Sequence, residues 1–237
     1  CALTEQKEVY CWGRGIDFNN LNLPLKPVKI PFTADIKEIA MHPFYDRTLT
    51  VLDSEGVVST LYYGTITPVT DDVVTINDYG NCGITTAGKV KCFDLGTGIA
   101  QVIQNIDNAV QISGYCALTA EDKVFCWPPV YGAAEEISTY YERVHLGLTI
   151  TDISNNCLLF DNGNTKCWGT IEGDNYPVPP MQNIVKFADV SYVDFVCGIN
   201  TAGEMMCAGS MPNSLGQMGM AVPVGDIAEK GVYKINA

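Results

Sequence analysis

The chain has 237 residues, enough for one large all-β domain or two small ones. Its 14 Lys+Arg against 27 Asp+Glu give a net charge of −13, which repels phosphate backbones and anionic lipid and so argues against nucleic acid or membrane surfaces as partners. No apolar run reaches the length of a membrane span, and with Cys1 at the start any targeting segment is expected to be gone already.

In chain order, the first element is CALTEQKEVYCW, from Cys1 to Trp12. Its two cysteines stand ten positions apart. If they face each other across antiparallel strands, the residues between them pair inward and leave a three-residue loop, Glu5-Gln6-Lys7. Such a loop needs its last residue in the left-handed region, where glycine is usual. Lys7 departs from that rule. Residues 13–35, with Pro24, Pro27 and Pro31, read as an extended surface loop.

A second copy, TVLDSEGVVSTLY, starts at Thr50 and has Thr50 and Thr60 where the cysteines stood. Losing both together is what a bonded pair predicts. A strand signal at 72–76 then leads into CGITTAGKVKCF from Cys82, and one at 109–112 leads into CALTAEDKVFCW from Cys116. Strands at 150–153 and 185–190 precede CLLFDNGNTKCW from Cys157 and CGINTAGEMMCA from Cys197. Hairpin starts at 1, 50, 82, 116, 157 and 197 recur about every 39 residues, a spacing typical of repeat architectures. Residues 231–237 repeat the strand signal with no hairpin behind it. The hairpin they lack is the one at Cys1.

All ten cysteines fall into Cys-x9-Cys pairs: Cys1 and Cys11, Cys82 and Cys92, Cys116 and Cys126, Cys157 and Cys167, Cys197 and Cys207. Close-set pairs suited to zinc or to redox catalysis are absent. Five hairpin disulfides are therefore expected, with an oxidising compartment. Alternation places Leu3, Leu52, Ile84, Leu118, Leu159 and Ile199 on the disulfide face, opposite Val9, Val58, Val90, Val124, Thr165 and Met205. Trp12, Leu61, Phe93, Trp127 and Trp168 fall on the other face. Sheets apolar on both faces are sandwiched between neighbours, as in a propeller. The expectation is an all-β chain forming one β-propeller domain over residues 1–237. It has six blades, and the C-terminal strand closes the ring beside the N-terminal hairpin.

The motif Cys-Ala-Leu-Thr-x-x-x-x-Val-Phe/Tyr-Cys-Trp at Cys1–Trp12 and Cys116–Trp127 resembles the regulator of chromosome condensation repeat family of β-propellers. Ser214-Leu215-Gly216-Gln217-Met218-Gly219 is similar to that family's glycine-glutamine segment between blades. The cysteine-paired form is similar to repeats of secreted bacterial proteins, of plant crinkly-type receptor ectodomains and of beta-lactamase inhibitory protein II. The resemblance implies a propeller that binds a protein partner through inter-blade loops on one face. The family usually has seven blades, where six are counted here. The acidity and the disulfides set this chain apart from the family's nuclear founding member.

Candidate contact residues lie in the long connections. Residues 128–146 read as an acidic, tyrosine-rich loop carrying Tyr131, Glu135, Glu136, Tyr140, Tyr141 and Glu142, suited to a basic or neutral protein surface. Met211 and Met218 follow the last hairpin as adaptable contacts, while Met205 and Met206 read as gap-fillers within it. His42 and His145 stand in different repeats with no metal-spaced neighbour, so neither metal nor cofactor is expected. Three functional readings follow: an extracellular or cell-surface (or periplasmic) protein-binding module, a structural subunit of a self-assembling appendage, and, last, an enzyme with a site in the central channel.

Overall fold

A computed structural model describes residues 1–12, 26–41, 48–62, 64–95, 97–128, 133–137, 147–154, 157–167, 181–192, 195–209 and 222–223. The chain divides into two compact units, Cys1–Glu136 and Ile137–Ala237. Every described element is a strand, and every pairing is antiparallel.

The first unit holds four sheets. The first is β1 (Ala2–Leu3), β2 (Val9–Cys11) and β3 (Val28–Ile30), in that order. The second is β4 (Ile36–Met41), β5 (Leu49–Asp53), β6 (Val58–Tyr62) and β7 (Thr65–Thr70). The third is β8 (Val73–Ile76), β9 (Cys82–Thr85), β10 (Val90–Phe93) and β11 (Ala100–Val102), and the fourth is β12 (Ala109–Ser113), β13 (Cys116–Thr119), β14 (Val124–Cys126) and β15 (Glu135–Glu136). The second unit holds a sheet of β16 (Ile150–Ser154), β17 (Cys157–Phe160) and β18 (Thr165–Cys167). Its other sheet is β19 (Ile184–Tyr192), β20 (Phe195–Asn200), β21 (Met205–Gly209) and β22 (Val222–Pro223). Six sheets thus correspond to the six repeats. The ring-closing strand expected at 231–237 lies outside the described residues.

The register matches the sequence reading at every hairpin. Leu3 pairs with Val9, Leu52 with Val58, Ile84 with Val90, Leu118 with Val124, Leu159 with Thr165 and Ile199 with Met205. Disulfides join Cys1–Cys11, Cys82–Cys92, Cys116–Cys126 and Cys157–Cys167, with Cα separations of 3.9 to 4.1 Å. Cys197 is also disulfide-bonded, and the backbone register places it opposite Cys207. The backbone hydrogen bonds explain why these positions suit a bridge. Phe93 N donates to Asn81 O and Trp127 N to Tyr115 O, one step outside the bonded pair. The cysteines therefore occupy a non-hydrogen-bonded site, where opposed side chains approach most closely. Thr50 and Thr60 hold the same site in the second sheet, buried at 0% and 3% exposure.

Each disulfide-face pair packs into an apolar layer. Cys82, Ile84, Val90 and Cys92 cluster with Ile103, Ile106, Ala109 and Trp127 from further along the chain, and Cys157 and Leu159 cluster with Met181, Ile184 and Phe187. Phe93, Leu61 and Trp127 are fully buried, as their face assignment implies; Trp12 is exposed at 44%. Met206 packs half-buried against the second unit's core, in keeping with a gap-filling role.

Two segments read as loops contain outer strands instead. Val28–Ile30 pairs with β2, its ends marked by Pro27 and Pro31, since proline is tolerated at strand ends and edges. Glu135 and Glu136 pair with Cys126 and Phe125. In both cases the backbone of the hairpin's second strand needs a partner on its outer side. That demand overrides weak local strand propensity.

Candidate interaction surface

The hairpin loops share one construction. In each, the loop is closed by the residue three after the first cysteine position: Thr4 N donates to Glu8 O, Thr85 N to Lys89 O, Thr119 N to Lys123 O and Asn200 N to Glu204 O. The third loop residue donates back to the closing residue, as Lys7 N does to Thr4 O and Gly163 N to Phe160 O. Its φ is positive in all six: Lys7 (64°), Gly56 (87°), Gly88 (70°), Asp122 (61°), Gly163 (79°) and Gly203 (77°). Lys7 therefore takes the left-handed conformation despite its Cβ, and the loop geometry outweighs the residue's preference.

Sequence reasoning missed the side chain that caps each loop. Thr4, Thr85 and Thr119 accept through Oγ1 from the backbone N–H of Glu8, Lys89 and Lys123 at 3.1, 3.1 and 3.3 Å. Asp53 Oδ1 accepts from Glu55 N and Val57 N, and Asn200 Oδ1 from Ala202 N and Glu204 N, all at 2.9 Å. The signal was visible as Thr, Asp or Asn three residues after the first cysteine position in five of six repeats. These residue types hydrogen-bond nearby backbone in turns. In the fifth repeat Phe160 stands there, and Asn162 Oδ1 accepts from Asn164 N instead.

Neighbouring loops are stitched together. Val73 N donates to Gly56 O and Ala109 N to Gly88 O, so the starts of the third and fourth sheets are fastened to the hairpin loops of the sheets before them. Thr86 N donates to Asp72 O and Ala120 N to Asn108 O. Asp72 and Asn108 themselves have φ of 63° and 54°, a conformation Asp and Asn tolerate better than most residues. In the first unit this end of the second, third and fourth sheets is therefore one continuous rigid surface. It exposes Asp35, Glu55, Asp71, Asp72, Asp107 and Glu121. Lys89 is ion-paired with Asp107, and Lys123 with Glu136 at 3.3 Å. Asn108 Nδ2 donates to Glu121 at 2.8 Å, and this hydrogen bond leads the causes that hold the Glu121 carboxyl below the ordinary glutamate range. Glu8 is likewise held low, first by its hydrogen bond from Lys29 and then by that from Tyr10.

The opposite end of the third and fourth sheets is joined by side chains. Asn77, fully buried, donates to Gly114 O at 2.8 Å and accepts from Asn81 N and Cys82 N at 3.0 Å. Asp78 accepts from Gly114 N at 2.6 Å, and the Tyr79 and Tyr115 rings meet edge to face at 5.4 Å. This network fixes the connections between first and second strands.

Of the eight candidate contact residues, Glu135 and Glu136 are described. Glu135 is exposed on β15; Glu136 is half-buried and paired with Lys123. Tyr131, Tyr140, Tyr141, Glu142, Met211 and Met218 lie outside the described residues, as do His42, His145 and Trp168. Among the described residues no group of three or more His, Cys, Asp or Glu is placed to hold a metal ion, and no helix is long and apolar enough to cross a membrane.

Comparison with solved structures places the architecture. Human WBSCR16 matches with a TM-score of 0.50 at 14% identity, over 66% of this chain and 54% of that one. YCF48, solved bound to D1 peptide, matches with a TM-score of 0.52 at 12% identity, over 95% of this chain and 81% of that one. Prp20p of Saccharomyces cerevisiae aligns at 16% identity with a TM-score of 0.42, over 94% of this chain. The chain spans 54% of the length of WBSCR16 and 60% of that of Prp20p. No family model and no curated protein matches the sequence. The six antiparallel sheets and the first two likenesses show a β-propeller fold.

Proposed function

We propose that this chain is a binding module rather than an enzyme: a single propeller domain over residues 1–237, of the secreted, disulfide-paired type its repeats resemble, that works outside the cell. It engages a protein partner through loops at one end of its sheets. The observation that carries this reading is the rigid loop surface of the first unit. The hairpins of its second, third and fourth sheets are each stapled by a disulfide or a packed threonine pair and capped by a side chain, and the second and third are fastened to the sheet that follows. Loops held by a rigid scaffold are the usual location of recognition, because little ordering entropy is lost on contact. The disulfides support an oxidising location. The structure of YCF48 with D1 peptide shows that a protein of similar fold holds a peptide.

The acidic surface fits a basic or neutral partner, and the test follows from that charge. The oxidised chain, immobilised, is used to capture proteins from its native extracellular milieu, beside a Glu55→Lys/Asp71→Lys/Asp107→Lys variant. The expected result is a defined partner whose binding weakens at least about tenfold in the variant and falls with added salt. Equal capture by both chains, or no retained protein, contradicts the reading.

A further inference from the structure

We infer that Asn162 is a site of spontaneous backbone modification, held in check by the hairpin that carries it and by the Cys157–Cys167 disulfide. Asn162-Gly163 is the one Asn-Gly step in the chain, and Asn162 is exposed at the tip of the fifth hairpin. Glycine after asparagine leaves the following backbone nitrogen without the steric cover of a side chain. That nitrogen can then attack the asparagine carboxamide.

The reaction needs only water. Gly163 N bonds to Asn162 Cγ, the Cγ–Nδ2 bond breaks, and ammonia leaves with the proton lost by Gly163 N. The five-membered imide then takes up one water at either carbonyl. Opening at one side gives aspartate. Opening at the other gives an isoaspartyl linkage that runs the chain through the side chain and adds a methylene to the backbone.

The hairpin opposes the first step in three ways. Gly163 N–H is donated to Phe160 O at 2.9 Å, which disfavours its deprotonation. Asn162 is the third residue of the turn closed by that bond, where ψ lies near 0°. A flat imide ring instead requires Gly163 N to swing round toward Cβ, which breaks the bond to Phe160. Finally, Gly163 O accepts from Ile184 N at 2.9 Å, and a Cβ built on Gly163 would lie 3.2 Å from Asn183 Cα, so the residue is pinned against the next sheet. Asn164 N–H to Oδ1, at 3.0 Å, acts the other way by polarising the carboxamide. The opposing contacts win because ring closure cannot proceed while they hold. The disulfide, closing the loop at Cys157–Cys167, keeps them in place.

Modification of Asn162 therefore tracks the opening of this hairpin. The test incubates the full oxidised chain in ¹⁸O-water at mildly alkaline pH, beside the same chain reduced with a thiol and held in urea. A third sample is a Cys157→Ser/Cys167→Ser variant in native buffer. Peptide mapping reads isotope incorporation at residue 162, and Asn162→Ala removes the signal. The expected rate is at least about tenfold lower in the oxidised chain than in the reduced, unfolded one, with the variant clearly above the oxidised chain. Equal rates in the oxidised and unfolded chains, no conversion at Asn162 in either, or a variant rate equal to that of the oxidised chain overturns the inference.

Discussion

At the scale of single residues, the third position of each hairpin loop sets the clearest expectation. Lys7 and Asp122 adopt φ of 64° and 61°, where an L side chain is strained by roughly 1 kcal/mol or more. Lys7→Gly relieves that strain at some cost in chain entropy. It should raise stability by about 0.5–1 kcal/mol, measurable as a higher thermal midpoint. Gly88→Ala should act in the opposite direction by more than about 1 kcal/mol. Its φ is 70°, and the added Cβ would stand 3.1 Å from Asn108 Cα. Equal effects of the two changes would contradict the loop assignment. The glycines were legible in the sequence because the turn demands them; the lysine was not, because closure of the loop overrides its preference. The depressed Glu121 titration belongs to this scale too. Its carboxylate is favoured in the folded chain, so the stability it adds is present above the unfolded-state pKa and is lost as pH falls through the lower folded value. Asn108→Ala should move the Glu121 titration, followed by NMR, back up toward the ordinary glutamate range, because the largest cause of the shift is removed.

At the scale of the element, the hairpin was readable almost whole. Cysteine spacing, alternation and turn chemistry each gave the register found in the structure. The outer strands were less readable. Thr65–Thr70 and Ala100–Val102 are edge strands whose side chains are largely exposed, so no apolar alternation marks them. A bulge near the start of the first strand in the second to sixth sheets also left no trace in composition. The register shifts between Ile36 and Glu38, Val73 and Thr75, Ala109 and Gln111, Ile150 and Asp152, and Ile184 and Lys186. Bulges of this kind re-aim the next side chain. Here that brings Glu38 Oε2 to Ile76 N and Asp152 Oδ2 to Phe187 N, at 2.9 and 2.8 Å, on the first strand of the following sheet. Asp152→Ala should therefore destabilise by about 1–3 kcal/mol, since Phe187 N–H is left buried without that acceptor. Denaturant unfolding checks it, and an unchanged midpoint would remove the carboxylate's role. The second hairpin permits the converse change. Thr50 and Thr60 face each other at the cysteine site, and Thr50 Oγ1 is buried with no hydrogen-bond partner among the described residues. Thr50→Cys/Thr60→Cys should oxidise to a new bridge and add about 2–3 kcal/mol to the oxidised form.

At the scale of the whole molecule, six recurrences of one hairpin produce six sheets, and the fold follows from counting them. The contact surface did not follow as far. A loop surface is built from residues distant in sequence, such as Asp35, Glu55, Asp72 and Glu121, which only the stitching of one sheet to the next brings to one end. The tyrosines and methionines singled out for contact sit in connections whose lengths vary between repeats, so no periodicity locates them. The rigid scaffold on which a binding role depends is the set of hairpin bridges, and disulfide mapping of the non-reduced chain tests it most directly. Five bridges are expected, each joining cysteines ten positions apart within one repeat, with no free thiol. Free sulfhydryls, or bridges joining different repeats, would contradict both the repeat and the rigid surface built upon it.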